Sequence, residues 1–164
     1  MPRRRFPLTR APRTRAVALA ALVVAPLAAC APTIGETPAE DAADPACAPV
    51  MLALPDTLAG DLPQRDTNAQ ATSAWGDPGA AVTLRCGVTP PGPSADCQRV
   101  ESGAGAVDWI VVAGKDGTWR FTTYGREPAV EVLVPPSVTE NHSTSFVGDL
   151  AQAVNTVPAT ATCT

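Results

Sequence analysis

The clearest pattern in the chain is a stretch rich in β-branched and aromatic residues between positions 107 and 134, whose middle and last parts alternate apolar and polar residues. It divides into three runs, at 107–113, 118–124 and 129–134, with a glycine-containing turn after each of the first two. Alternate side chains of a strand point to opposite faces, so the pattern predicts three antiparallel strands with one apolar face. The glycines in the short turns predict that these strands form a meander.

Outside this meander, the patterns predict one or two more strands and one or two helices. Residues 81–86 have the composition of a strand, and residues 97–101 are its candidate partner. Residues 144–157 place apolar side chains at helical spacing. Residues 48–60 predict a short helix that Pro55 breaks. The predicted fold class is therefore α+β: a small antiparallel sheet, the three-stranded meander plus one or two further strands, covered by one or two helices, with two disulfides.

The first 30 residues have the order of a bacterial lipoprotein signal. Six arginines and no acidic residue precede an apolar run at 16–27, which Ala28, Ala29 and then Cys30 follow. About a dozen apolar residues are too few to span a bilayer. The pattern predicts that residues 1–29 are a signal peptide, that cleavage precedes Cys30, and that Cys30 carries a lipid anchor.

Two alternatives for the N-terminus stay open. An ordinary signal peptide cleaved at a nearby site would leave Cys30 as an incidental thiol. The run Arg3-Arg4-Arg5-Phe6 also fits a twin-arginine export signal, so the export route is not decided by the sequence. The expected location of the protein is the extracytoplasmic face of the cell membrane.

Removal of the leader changes the charge of the chain. The full sequence carries 12 basic and 16 acidic residues, and its net charge is −4. Six of the basic residues lie in the leader, so the mature chain keeps six against 16 acidic ones and has a net charge of −10. Such a surface repels nucleic-acid phosphates, which excludes nucleic acid as a partner. The membrane is expected to be contacted through the lipid anchor alone.

Residues 30–46 are predicted to be the lipidated cysteine followed by a disordered acidic tether. The segment is rich in alanine, proline and acidic residues, and Ile34 is its one large apolar residue, so it has too little apolar surface to fold. A flexible chain of this length spans roughly 20–25 Å. A helix through residues 39–43 is the alternative. Residues 47–164 are predicted to form a single globular domain.

Four cysteines remain in the mature chain once Cys30 is lipidated, an even number that is typical of disulfides in an oxidising compartment. Three pairings are possible. The favoured one bonds Cys86 to Cys97 across a short proline-rich loop, and Cys47 then pairs with Cys163 and joins the two ends of the domain. The chain has no Cys-x-x-Cys spacing and one histidine, so no metal site is predicted.

The sequence predicts neither a catalytic constellation nor a cofactor. His142 is the only histidine, and no Gly-x-Ser-x-Gly elbow supplies a nucleophile for it. The best candidates for a binding surface are aromatic and charged residues beside turns, where they can contact a glycan or a partner protein. These residues are Trp75, Asp77, Tyr124 and Arg126. The alternative is structural, with glycine and proline setting the turns while the tryptophans fill the core.

Five short motifs follow one another along the domain. They are Leu54-Pro55, Trp75-Gly76-Asp77-Pro78, Leu84-Arg85-Cys86-Gly87, Asp108-Trp109 and Thr123-Tyr124-Gly125-Arg126-Glu127-Pro128. In these motifs residues 47–163 resemble a family of actinobacterial secreted or membrane-anchored proteins that is catalogued as a domain of unknown function. The resemblance implies a shared fold and taxon, and it brings no activity, cofactor or catalytic residue to this chain.

Together these observations predict a lipid-anchored cell-envelope protein that is not an enzyme. The expected role is that of an accessory or scaffold subunit, with a protein partner in the envelope. A small lipoprotein that binds a cell-wall or envelope component is the alternative, and an envelope hydrolase is the third. A flat exposed aromatic patch favours the first role, whereas a pocket with converging polar groups favours the second.

Overall fold

The computed structural model describes residues 32–164, so the predicted signal peptide and Cys30 lie outside the described residues. The described chain forms one antiparallel sheet of eight strands, with three short α-helices and a 3-10 helix. The strands are β1 (Thr57–Leu58), β2 (Leu62–Arg65), β3 (Thr72–Trp75), β4 (Val82–Val88), β5 (Cys97–Ser102), β6 (Gly105–Ala113), β7 (Trp119–Thr123) and β8 (Ala129–Val134). The helices are α1 (Cys47–Leu52), α2 (Pro136–Thr139), the 3-10 helix (Thr144–Leu150) and α3 (Ala151–Val154).

The prediction of a small sheet covered by helices is wrong. The order across the sheet is β1-β2-β3-β4-β8-β7-β6-β5, so two four-stranded meanders meet where β4 pairs with β8. The predicted meander strands are β6, β7 and β8, three of the eight. Strand β5 was expected beside β4, but it pairs with β6 at the far edge of the sheet. The three missed strands span two to four residues each, which is too short for a visible alternation.

One face of the sheet, called the inner face, carries the core. Leu84, Val132, Phe121 and Val111 lie side by side in neighbouring strands and are all buried. The predicted helix at 144–157 is instead the 3-10 helix followed by α3, and its apolar stripe does pack into this core. The buried stripe is formed by Phe146, Val147, Leu150 and Val154. Apolar burial against the sheet thus stabilises helices that are too short to be stable alone.

All four cysteines of the domain form disulfides, as predicted, but the predicted pairing is wrong. The bonds are Cys47–Cys86 and Cys97–Cys163, with Cα–Cα distances of 5.7 and 5.6 Å. The predicted pairing assumed that Cys86 and Cys97 lie in adjacent strands, whereas three strands separate β4 from β5. Cys86 faces the inner side, where α1 begins, and Cys97 lies opposite Ile110 on the other face, called the outer face. The C-terminal tail reaches Cys97 there.

Residues 32–46, predicted to be a disordered tether, lie against the domain and are called the N-terminal strap. The backbone of Ile34 pairs with the segment after β2: its N–H donates to the Asp66 carbonyl at 2.8 Å. Further along, Asp41 N–H donates to the carbonyl of Gly87 at 3.0 Å. Gly87 has a φ of +96°, and a Cβ there would collide with the Asp41 backbone. Composition underestimated this segment because one isoleucine, two buried alanines and backbone hydrogen bonds are enough to hold it.

Within residues 32–164, no helix combines the length and the apolar composition needed to cross a bilayer.

Candidate functional site

Two of the four residues predicted to form a binding surface lie around the β3–β4 turn. Trp75 is completely buried, and its indole N–H donates to the carbonyl of Pro55 at 2.8 Å. Asp77 is exposed and forms an ion pair with Arg65 at 3.3 Å. The Trp75 side chain therefore fills the core beneath this turn and holds the Pro55 loop, while Asp77 stays in solvent.

The other two predicted residues lie at the opposite end of the sheet, in the β7–β8 turn. Tyr124 is half-buried and Arg126 is buried. The Arg126 guanidinium donates to the main-chain carbonyls of Val154 and Val157 and to Asn155 Oδ1. Burial lowers the pKa of Arg126, and the negative charge of Asp108 acts in the opposite direction. The structure thus does not bring the four residues together, and it gives Arg126 an internal role.

His142 lines an open groove of about 610 Å³ together with polar residues of the α2–3-10 connection. Its Nε2 lies 2.8 Å from Asp61 Oδ1, and its Nδ1 lies 3.2 Å from the Val138 carbonyl oxygen. Both ring nitrogens therefore face acceptors, and neither is bonded to a hydroxyl. Ser143, the nearest serine in sequence, uses its Oγ to accept from Ser145 N–H at the start of the 3-10 helix. In the described residues this groove contains no paired nucleophile and base.

Side chains of His, Cys, Asp and Glu in residues 32–164 do not gather in groups of three or more that could hold a metal ion.

Exposed apolar side chains point to a different site, on the β6–β7 hairpin. Among the described residues, three large apolar side chains are markedly exposed: Leu52 at 88%, Val112 at 47% and Trp119 at 36%. Val112 and Trp119 lie on this hairpin, on opposite faces. Leu52 stands alone on α1. Single exposed apolar residues are ordinary on a protein surface, but this hairpin is the element of the described residues that carries two of them.

A groove on the outer face adjoins this hairpin. Val112, Arg120, Leu133 and Thr83 are direct cross-strand neighbours in β6, β7, β8 and β4. Beside the first three of them lies a groove of about 370 Å³, closed at one end by the β6–β7 turn. Val112, Arg120 and Leu133 on the outer face, together with Trp119 on the inner face of the same hairpin, are called the hairpin surface. Three of its four residues are apolar, and it carries one exposed cation, Arg120.

The carboxylates near Arg120 have other partners, so the Arg120 guanidinium is free to bind a further carboxylate. Glu131 is buried and is held by Arg85 at 2.7 Å, while its contact with Arg120 is longer, at 3.4 Å. Asp116, at the rim, accepts hydrogen bonds from Thr118 N–H and Oγ at 3.1 Å, and these bonds lower the pKa of Asp116. Both carboxylates thus have other partners. The Arg120 side chain is 57% exposed and is only loosely paired.

Sequence reasoning missed this site, although one signal was present. In β6 the alternation assigns Val107, Trp109 and Val111 to the apolar face, which leaves Val112 as an apolar residue on the polar face. Arg120 lies opposite Val112 on that same face. An apolar residue on the solvent side of an amphipathic strand is the pattern that a binding surface leaves.

A protein-family model described as "Protein of unknown function (DUF3515)" matches residues 13–162. The chain belongs to the DUF3515 family. The match covers nearly the whole chain and includes both the N-terminal strap and the hairpin surface, so these features lie within the DUF3515 region. The resemblance to a domain of unknown function is thereby confirmed. Neither the curated proteins nor the solved structures contain a significant match to this DUF3515 chain.

Proposed function

We propose that this protein is a lipid-anchored accessory protein of the cell envelope that binds a partner protein through its hairpin surface. The leader, the apolar run and Cys30 support the anchor and the extracytoplasmic location. One structural observation supports the binding role: Val112 and Arg120 are exposed side by side on the outer face of one hairpin, and Trp119 is exposed on its inner face.

The chemistry of the hairpin surface favours a protein partner. Tryptophan and arginine are the residues most enriched among those that dominate binding energy at protein interfaces. The loose contact between Arg120 and Glu131 can be exchanged for a carboxylate of the partner at small cost, because Arg85 continues to hold Glu131. The occupant is therefore a segment that presents aliphatic side chains next to a carboxylate.

Crosslinking in living cells tests the binding role. A photo-crosslinking residue at position 112 is expected to capture one defined protein, and the same residue at position 52 is the control. Leu52 is more exposed than Val112, but it projects from α1, which covers the inner face. Equal capture from both positions, or none from position 112, would refute the hairpin surface as the site.

Substitution then measures the contribution of individual side chains. Trp119→Ala is expected to weaken binding of the captured partner by about tenfold or more, as for an interface hot spot. Leu52→Ala is the matched control and should leave the affinity unchanged. The anchor is tested separately, because Cys30→Ser should move the protein from the membrane into the medium.

A ligand-binding role is the second candidate, and the groove beside His142 is the observation that favours it. This groove is lined by Asn141, His142, Ser143, Ser145 and Asp149, whose polar groups suit a hydroxylated ligand. Calorimetric titration with soluble cell-wall fragments tests this role. Binding of a fragment that is lost in His142→Ala would support the ligand-binding role. If no fragment gives a heat of binding, this role is excluded.

A further inference from the structure

The direction of the N-terminal strap indicates which end of the sheet lies nearest Cys30. Ile34 runs parallel to the chain leaving β2: its N–H donates to Asp66 and its carbonyl accepts from Asn68 N–H at 3.3 Å. Followed backwards from Ile34, the strap therefore runs toward the start of β2. Residues 33–36 share an open groove of about 320 Å³ with the β3–β4 turn, so this part of the strap lies near that turn.

The same end of the sheet carries the hairpin surface. In the register, Trp75 lies opposite Val82, and the next rung joins Thr83 to Leu133. Val134 lies opposite Trp119, and Trp119 lies opposite Ala113. The β3–β4 turn and the β6–β7 turn, residues 76–81 and 114–118, therefore project from one end of the sheet, called the anchor end.

The distance from the strap to the anchor is short. Cys30 precedes Ile34 by four residues, and a fully extended chain advances about 3.3–3.6 Å per residue. Covalent geometry therefore allows at most about 14 Å between the Cys30 backbone and Ile34, whatever the course of the residues between them. The tether of roughly 20–25 Å expected for a flexible segment is not available while the strap is docked.

We infer that the docked strap holds the domain upright on the membrane, with its anchor end against the lipid headgroups. This inference rests on the proposed lipidation of Cys30. Trp119 and Lys115 lie at the anchor end and are exposed, and tryptophan and lysine are residues that suit the membrane interface. The hairpin surface then lies beside the bilayer. Its partner is accordingly a protein embedded in the same membrane, not a soluble one.

The chain offers a convenient probe, because Lys115 is its only lysine. An amine-reactive fluorophore on Lys115 reports on the anchor end. A second variant places the only lysine at the opposite end of the sheet by combining Lys115→Arg with Gly103→Lys. Gly103 lies in the β5–β6 turn and has open space around it. The strand between the two turns, β6, is nine residues long and spans roughly 27 Å. Lys115→Arg alone corrects for label on the N-terminal amine.

The experiment uses the lipidated full-length protein in phosphatidylcholine vesicles whose headgroups carry a nitroxide quencher. The fluorophore at position 115 is expected to be quenched several-fold more than the one at position 103. Ile34→Asn, which removes the buried side chain of the strap, should reduce this difference. Asn68→Ala, which removes the bond from Glu36 N–H to Asn68 Oδ1 (2.7 Å), provides a milder second variant.

The outcomes separate the inference from the function on which it rests. Equal quenching at the two positions in protein that floats with the vesicles would overturn the orientation and leave the anchor intact. Protein that does not float with the vesicles would overturn both. A large difference that persists unchanged in both strap variants would also overturn the inference, because the orientation would then have another cause.

Discussion

Substitution of Arg126 by methionine removes a buried guanidinium that connects the β7–β8 turn to the end of α3. The side chain donates to the carbonyls of Val154 and Val157, and its Nη2 lies 2.6 Å from Asn155 Oδ1. Methionine is apolar and adaptable and fills much of the same space, but it has no hydrogen-bond donor. The Val157 carbonyl and Asn155 Oδ1 would therefore lose this donor while the packing changes little, whereas the Val154 carbonyl keeps the Val157 N–H at 3.1 Å.

The expected cost follows from the environment of these oxygens. A buried acceptor without a partner costs roughly 1–3 kcal/mol, and a hydrogen bond from a charged donor contributes about 1.5–3 kcal/mol. Val157 is buried, whereas Asn155 is half-buried and its amide keeps a second bond, to Ala104. Desolvation of the guanidinium, which lowers the pKa of Arg126, offsets part of the gain. We expect a loss of about 3 kcal/mol in the free energy of unfolding.

Urea and thermal unfolding of the oxidised protein, followed by tryptophan fluorescence and circular dichroism, measure this loss. For a domain of this size it corresponds to a decrease in Tm of about 10 °C. Arg120→Met is the matched control: Arg120 is exposed and Glu131 keeps Arg85, so its cost should stay below about 1 kcal/mol. Equal costs for the two substitutions would refute the argument that buried acceptors determine the effect.

Three further substitutions test other parts of the structure. Gly87→Ala places a Cβ against the strap backbone, so faster amide hydrogen exchange in residues 32–44 is expected, and unchanged exchange would contradict the packing. Replacing both Cys97 and Cys163 by serine opens a disulfide that spans 66 residues. It should lower the free energy of unfolding by about 4 kcal/mol in urea titrations, and a loss under about 1 kcal/mol would count against this. The pKa of Asp116 is lowered from its ordinary 3.8, so the stability it contributes is complete above pH 3.8 and is lost as pH falls through the lowered pKa. The difference in stability between the native protein and Asp116→Ala should therefore disappear in acid, and a pH-independent difference would contradict that sign.

The meander was predictable from the sequence because its strands are long enough to display a pattern. Strand β8 spans six residues, and its predicted bounds, 129–134, match the structure. Strands β1 to β3 have at most four residues, and the segment around them contains glycine, proline and aspartate, which are typical of turns. These strands form because they pair with β4 and with each other. Such pairing depends on the tertiary structure and leaves no signal in the local sequence.

The cysteine pairing and the site were harder to predict for a related reason, since both depend on which strands are neighbours. The connection from β4 to β5 crosses three strands, so closeness in sequence between Cys86 and Cys97 had no counterpart in space. Likewise Val112 and Leu133 belong to strands separated by β7, and only the register shows that they flank Arg120. Aromatic residues beside turns did not indicate the binding surface. The Trp75 side chain, for example, is buried and its indole N–H donates to the Pro55 carbonyl inside the fold.

Residues 32–164 carry 6 basic and 16 acidic residues, a net charge of −10, but only the charges near the membrane act on a domain that stands against it. At physiological ionic strength the Debye length is about 8 Å, so acidic residues at the far end of a sheet roughly 27 Å long do not interact with the headgroups. The anchor end itself is acidic, because it also carries Asp61 in the β1–β2 turn and Asp149, which accepts from Ala59 N–H of that turn. Asp77 is paired with Arg65, and Asp116 lies beside Lys115 in the same turn. Repulsion from anionic lipids therefore acts on the anchor end as well, so the upright orientation depends on the docked strap and not on the charge distribution.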